Sequence, residues 1–595
     1  MFCTKCGKPL EDGVTVCPDC AAVENEQPAI SLEDTFELNL QPEPPVKKKK
    51  GGLIALIAAA AVLVAGAVAV ILNLDSISNT INETVRSPED YLTYVEEKGK
   101  DAAVEDLTEY YDAYLDNLSR TSYGVTGECH VLLGNKVLDL LKPVLQQANL
   151  PADDLTWLSD VLVDIDASMA SGKFSGKLGI GLGKNGLLTA DVKMDAASGK
   201  VWVALPELSS QYLMAETDPM ILEGLDLQAG AEMAKALPTS KELEKLIDTY
   251  YGIILDGINT VQKSEQTMTV DGISQKFTVL TATLTQEELA NIMIAVLEQM
   301  KTDTTLETVL DDCCAYLNAT EKEYWDTNIK PYLGEEYEPV DMHAELLTAV
   351  EDALSEMRAM LDQSKEGNYL TIATYVDNAG TIAGRELKVY GEDVEDLGDI
   401  YYITVRDSNK LASELVVDRL KIAGTGTESQ GKQNMTYTLT FEDTKYLTLE
   451  VKDLVSTAEE ASYTLVLKPE QVLLTDVLEL DSSVTGVISL MDLSLEISCQ
   501  TKGMTESTVA IRALTGSNLL AGITMDAKLK DAESFSAPTN TVDAANEQAL
   551  VQWVKGMKFD TLVNNLKTAG VPDFYVQVVQ SAADTLMQLL GMGTV

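Results

Sequence analysis

Apolar positions follow three patterns along the chain. From Leu53 to Leu72 they form one uninterrupted run of Leu, Ile, Ala, Val and a single Gly. Twenty helical residues rising about 1.5 Å each cover roughly 30 Å, the hydrocarbon thickness of a bilayer, so the run predicts one transmembrane helix over 53–74. The second pattern is helical: Ser87-Pro88-Glu89-Asp90 reads as an N-cap with Pro at the first turn, and Tyr91, Val95, Val104, Leu107 and Leu118 form a stripe after it. Asn135 to Leu150, about 217–263, Gln286 to about Gln363, 543–569 and 573–590 read as further helical segments. The third pattern is strict alternation. Val163, Ile165, Ala167 and Met169 alternate with Asp164, Asp166 and Ser168, and Leu188, Ala190, Val192 and Met194 alternate with Thr189, Asp191 and Lys193. Such text predicts half-buried antiparallel strands. From Asn368 to about Asp531 strand text dominates, in the runs Tyr369–Val376, Ile382–Tyr390, Ile400–Val405, Met435–Phe441, Tyr446–Val451, Tyr463–Leu467, Leu493–Ile497 and Thr508–Ile511.

The expected fold class is therefore multidomain. A small N-terminal domain (1–23) is followed by an acidic, Pro-containing linker ending in a lysine run (24–50) and the transmembrane helix (53–74). Beyond these come an α+β extracytoplasmic domain (75–365) and a mostly antiparallel β domain closed by C-terminal helices (366–595). Together the last two predict a large α+β region with an extended antiparallel sheet and covering helices.

Charge orients this layout. With 44 Lys+Arg against 94 Asp+Glu the net charge is −50, and almost all of the excess lies after residue 75. Lys47 to Lys50 precede the apolar run, whereas Asp75, Glu83 and Asp90 follow it. The positive-inside rule then places the N-terminus in the cytosol and residues 75–595 outside the cell membrane, with the four lysines near anionic headgroups. A cleaved signal peptide is the competing reading, opposed by the fifty-residue N-region and the length of the run. An outer region this acidic repels phosphate backbones, which excludes nucleic acid as a partner.

Half of the eight cysteines fall in the first twenty residues, as Cys3-x-x-Cys6 and Cys17-x-x-Cys20. Each C-x-x-C turn offers two thiolates on one knuckle, and four of them close a tetrahedral Zn2+ site with no position left for substrate. Gly7 after Cys6 lets the backbone turn under the metal. This segment resembles the zinc ribbons at the start of many bacterial single-pass membrane proteins, with Ala21 standing where these usually carry Gly. The resemblance implies that Cys3, Cys6, Cys17 and Cys20 hold a structural Zn2+. The outer region's succession of helix, strand meander and covering helices looks like the curved sheet of lipoprotein-carrier (LolA-like) proteins. That similarity implies an apolar surface for an envelope lipid or protein ligand.

No arrangement nominates an enzyme. His130 and His343 are the only histidines. Cys129 and His130 are adjacent, so in a strand they point to opposite faces and cannot form a dyad. Gly181, Gly183 and Gly186 match a dinucleotide-binding spacing but lead into a strand, which predicts a hairpin turn at Asn185-Gly186; Gly426, Gly431 and Lys432 lack the Ser or Thr of a phosphate loop. Cys313 and Cys314 read as thiols in a helix, and whether Cys129 and Cys499 pair is left open. Carboxylate pairs such as Asp164/Asp166 and Asp311/Asp312 are too common in so acidic a chain to nominate a hydrolase. Two functions remain: a membrane-anchored envelope protein whose acidic outer domain binds a ligand or partner, and an extracytoplasmic hydrolase using carboxylates.

Overall fold

The structure, a computed structural model, describes residues 83, 85–147, 150–217, 227–334, 336–390, 400–457, 460–473, 492–503 and 505–589. Among these, twenty strands join in one sheet. The chain enters it in the middle. Strands β1 (Ser122–Leu133), β2 (Asp160–Ala170), β3 (Lys173–Leu182), β4 (Asn185–Asp195), β5 (Lys200–Ala204) and β6 (Tyr212–Glu216) meander outward to one edge. Helices then carry the chain to the opposite edge, where β7 (Val261–Val270), β8 (Ile273–Thr285), β9 (Asn368–Val376), β10 (Ile382–Val389) and β11 (Ile400–Asp407) begin the return. The meander continues through β12 (Lys410–Val417), β13 (Leu420–Ser429), β14 (Lys432–Phe441), β15 (Thr444–Ser456), β16 (Glu460–Pro469), β17 (Leu493–Lys502), β18 (Glu506–Thr515) and β19 (Asn518–Lys530). There β19 pairs with β1, closing the gap in the ladder. Every pairing is antiparallel except that of the short β20 (Thr541–Asp543), which runs parallel to β6.

Tight turns make this long meander possible. Between β11 and β12, and between β12 and β13, only two residues intervene, and Ser408 (φ 58°) and Asp418 (φ 53°) take the left-handed conformation there. Short polar side chains tolerate that region better than most, and mirror-image turns match the right-handed twist of the strands.

Helices cover one end of the sheet. Helix α1 (Pro88–Leu118) begins at Ser87, whose hydroxyl accepts from the Asp90 amide at 3.1 Å, and it packs on β7 and β10. Helices α4 (Ser240–Asp256) and α5 (Gln286–Met300) each start with a reciprocal capping box, Thr239/Glu242 and Thr285/Glu288. Alongside α5, which packs on β8 and β9, lies α8 (Met342–Leu361). Near the other edge, α10 (Asp560–Thr568) packs on β4, followed by α11 (Asp573–Leu589). A helix is interrupted where the sequence predicts a continuous one over 543–569: α9 (Glu547–Lys555) stops at Gly556, and the Lys558 amide turns away to the Leu208 carbonyl at 2.8 Å.

The expected fold class is corrected on three points. The sheet is not split into an α+β part and a β part, because β8 pairs with β9 across the helical segment between them. No helix among the described residues is long and apolar enough to cross a membrane. The longest, α1, has the length but carries acidic and basic side chains throughout, so it lies on the sheet. Nor do any three His, Cys, Asp or Glu side chains among the described residues converge to hold a metal ion. The histidines and the described cysteines lie on separate elements, apart from two adjacent pairs, Cys129 and His130 on β1 and Cys313 and Cys314 in one helix. The expected membrane and zinc-ribbon features therefore find no counterpart in the described structure. Cys3, Cys6, Cys17, Cys20, Lys47–Lys50 and Leu53–Leu72 lie outside the described residues.

Candidate functional site

Strand alternation sorts the sheet into two faces, and register shows how far each continues. Starting in β14, Met435 stands opposite Val451, which stands opposite Leu465, then Ile497, Ile511, Ile523, Val131, Val161 and Leu182. The row crosses nine strands without a polar side chain, about 38 Å at roughly 4.8 Å per strand. Beside it run two shorter rows on the same face: Tyr463, Cys499, Val509, Met525, Cys129, Val163 and Ile180, and then Ile165, Leu178 and Ala190. On the other face the row between the first two reads Thr464, Ser498, Ala510, Thr524, His130, Leu162 and Gly181, with Glu496 and Arg512 to one side of it and Asp526, Glu128 and Asp164 to the other. One face is hydrocarbon; the other mixes small and polar side chains and carries the charged residues.

The apolar face is covered at its ends and open between them. Toward β4, Leu182 is buried with Val563, Val571 and Val576 from α10, α11 and the turn joining them. In the middle, Ile165, Leu178, Ile180, Leu495, Ile511, Ile523 and Met525 are 39–48% exposed. Scattered exposed apolar residues are normal; seven on one face of the six adjacent strands from β17 to β3 form a patch of the kind that binds something.

Where the row reaches β10–β14 the face deepens into a cavity of about 360 Å3. Here β13 presents Gly424 and Gly426 to the same face as Met435 and Tyr437. A Cβ at Gly424 would stand 2.4 Å from the Tyr437 ring, and one at Gly426 would meet the Asn434 carbonyl at 1.8 Å. The Tyr437 ring and Met435 therefore lie directly over the β13 backbone, and with Leu411, Leu415 and Ile422 they line the hollow. The β10–β12 side is more polar. Arg385, opposite Tyr402 in register, lies beside Thr404 and Ser413, which also face each other.

Arg385 fixes this side to the helical layer. It is 7% exposed, and its Nη2 donates to Glu96 Oε2 on α1 at 2.5 Å. The same oxygen accepts the Tyr251 hydroxyl of α4 at 2.6 Å. Burial, reinforced by Glu96, pushes the Tyr251 hydroxyl well above its ordinary pKa, so it stays a donor. Arg385 Nε is buried without a hydrogen-bond partner among the described residues. The second cation of the cavity, Arg406, donates Nη1 to Glu428 at 2.7 Å.

The other residues singled out in the sequence are scattered. Cys129 lies on the apolar face while His130 points to the charged one, its Nδ1 2.8 Å from Asp160 Oδ1. That hydrogen bond raises the His130 pKa. Cys129 and Cys499 share a row but stand three strands apart, about 14 Å, where a disulfide needs Cα atoms within about 7 Å. Both are free thiols, as are Cys313 and Cys314. His343 Nδ1 lies 3.9 Å from Glu307. The glycine motif at 181–186 is a hairpin, but its turn is Gly183-Lys184, two residues before the expected one. Gly431 turns the β13–β14 hairpin with Gln430.

Carboxylates do gather on the charged face. Glu128 stands opposite both Asp164 and Asp526, above a shallow depression that also includes Asp166, held by Lys530 Nζ at 2.6 Å. At 63% exposure for Glu128, this is a solvated surface without the walls an acid–base pair needs. Compared with models of protein families, with curated proteins and with solved structures, the chain matches none.

Proposed function

We propose that the sheet is a binding module for a chain-like apolar molecule, held along the open face between the helical layer at β8–β10 and the helices at β3–β4. The observation that carries this reading is the unbroken row from Met435 to Leu182. Its length, about 38 Å, exceeds the roughly 15 Å that one leaflet of a bilayer core allows an acyl chain, so a lipid hydrocarbon fits with room to spare. A protein partner is a poorer fit. Interfaces between proteins carry about one hydrogen bond per 100–200 Å2, and the side chains of this row offer no donor or acceptor. The hydrolase reading loses ground because the clustered carboxylates lie on the opposite, exposed face.

The test is a titration of the full chain with the uncharged reporter N-phenyl-1-naphthylamine, set against the double variant Ile511→Glu/Ile523→Glu. Both positions are about two-fifths exposed, so the variant should stay folded, and two carboxylates in the middle of the row should abolish saturable binding. Equal binding by a folded variant would remove the face from consideration.

A further inference from the structure

The open strip is wider than one row. Beside the row from Met435 to Leu182, on the side away from Tyr463, a further apolar row runs in register on the same face: Leu449, Leu467, Leu495, Ala513, Ala521 and Leu133. With the row from Tyr463 to Ile180 on its other side, the central row is a ridge with a groove along each flank. Side chains about two-fifths exposed border both grooves: Leu495 the first, Met525 and Ile180 the second, with Ile511 and Ile523 on the ridge between them. The outer wall of the first dips only at Ala513 and Ala521. Neighbouring rows are two residues apart along each strand, roughly 7 Å, which seats one polymethylene chain touching either wall at about 4 Å between carbons. No third groove forms beyond Tyr463 and Met525, because β18, β19 and β1 present Ser507, Ala527 and Gly127 there in succession.

A second copy of the chain is the poorer occupant. Helices roughly 10 Å across stand on the same face at both ends of the strip, α1 and α5 at β7–β10 and α10 with α11 at Leu182, whereas sheets packed face to face approach within about 10 Å. From this we infer that the face takes a two-chain lipid, its hydrocarbon chains side by side in the two grooves, astride Ile511 and Ile523. The grooves lie roughly 7 Å apart, a spacing that a glycerol backbone spans. The inference rests on the apolar-chain reading and narrows its ligand from one chain to a pair joined in one molecule, because joining them makes binding of the second chain intramolecular.

Equilibrium dialysis of the full chain against two uncharged probes counts the chains: decanol, with one, and 1,2-didecanoylglycerol, with two of the same length. Two equivalents of decanol and one of the glyceride are expected at saturation, the glyceride half-saturating at about a hundredfold lower concentration. Equal uptake of the two probes overturns the pairing but leaves chain binding in place. Uptake of neither overturns chain binding itself. A doubled mass in solution that is lost in Ile511→Glu/Ile523→Glu assigns the face to a second copy and overturns the two-chain lipid. Single variants read the grooves one at a time. Leu495→Glu and Met525→Glu each change a side chain about two-fifths exposed, so the fold, checked by circular dichroism, should persist, and each should lose one of the two decanol equivalents. Cys129, a free thiol opposite Met525 in register, reports the second groove. Decanol should slow its alkylation by N-ethylmaleimide several-fold in the wild type and in Leu495→Glu, and leave it unchanged in Met525→Glu. Loss of both equivalents in either folded variant, or of neither, overturns the two grooves.

Discussion

Two regions of the same face teach different lessons. On β8–β10 the side chains Leu280, Leu284, Leu370 and Ile372 are at most 5% exposed, in a region where α1, α5 and α8 form a second layer. On β17–β19 and β2–β3 the same residue types, in the same alternation and joined to the first set by an unbroken ladder, are left about two-fifths open. Nothing in the strands themselves separates the two regions. What differs is what surrounds them: α1 and α5, backed by α8, lie against β7–β10, whereas β2 and β3, and β18 and β19, are joined directly by two-residue turns. Covered hydrocarbon contributes to folding, because its burial is complete in the native state. Open hydrocarbon contributes little to folding and is available for binding.

The boundary between the regions is Arg385, and breaking it gives the largest expected effect. Arg385→Ala leaves Glu96, 3% exposed, without its cation, at an expected cost of about 3–5 kcal/mol of unfolding free energy. Urea denaturation followed by circular dichroism measures this. A loss below about 1 kcal/mol would mean that the ion pair does not anchor the helical layer.

A matched pair of truncations tests the comparison directly. Leu280 is fully buried and Ile523 is 41% exposed, on the same face. Leu280→Ala should cost about 2–5 kcal/mol, the usual range for a large core aliphatic. Ile523→Ala should cost no more than about 1 kcal/mol, since much of its side chain already meets water. Reporter binding should move the other way, weakened by the Ile523 change and untouched by the Leu280 change in molecules that remain folded. Equal stability losses would mean that the open region is covered in solution.

Much of this was legible in the sequence, and what was missed has physical causes. The alternation in 163–169 and 188–194 places apolar and polar residues on the faces where they are found, and the Ser87 cap locates the start of α1. Strands β12 and β13 escaped because their boundaries are set by Ser408 and Asp418 in left-handed turns rather than by Gly or Pro, and because Gly424 and Gly426 dilute the strand text of β13. Those glycines are also a signal that could have drawn attention to this part of the sheet: two on one face of a strand mark a place where a neighbouring group approaches the backbone closely. Pairing of β8 with β9 and of β19 with β1 is long-range, and no local pattern encodes it. Nor does periodicity report what lies on a face, which is why a single sheet was read as two domains.

The smallest effect concerns the charged face and serves as the control. His130 is one residue from Cys129 yet on the opposite side of β1, bonded to Asp160. Because that bond raises its pKa in the folded state, the folded chain binds the proton more tightly than the unfolded chain does. The resulting stabilisation is complete below about pH 6.5, the usual histidine value, and is lost as pH rises through the higher folded value. At 22% and 32% side-chain exposure the pair is partly screened, so the stability difference between wild type and His130→Gln should stay below about 1 kcal/mol. That difference should shrink as pH is raised above 6.5, measured by urea titration across the range, and a difference that grows with pH would reverse the sign argued here. Reporter binding should not change at any pH, because the imidazole and the apolar rows lie on opposite sides of the same strand; a binding defect in His130→Gln would mean that the two faces are not independent.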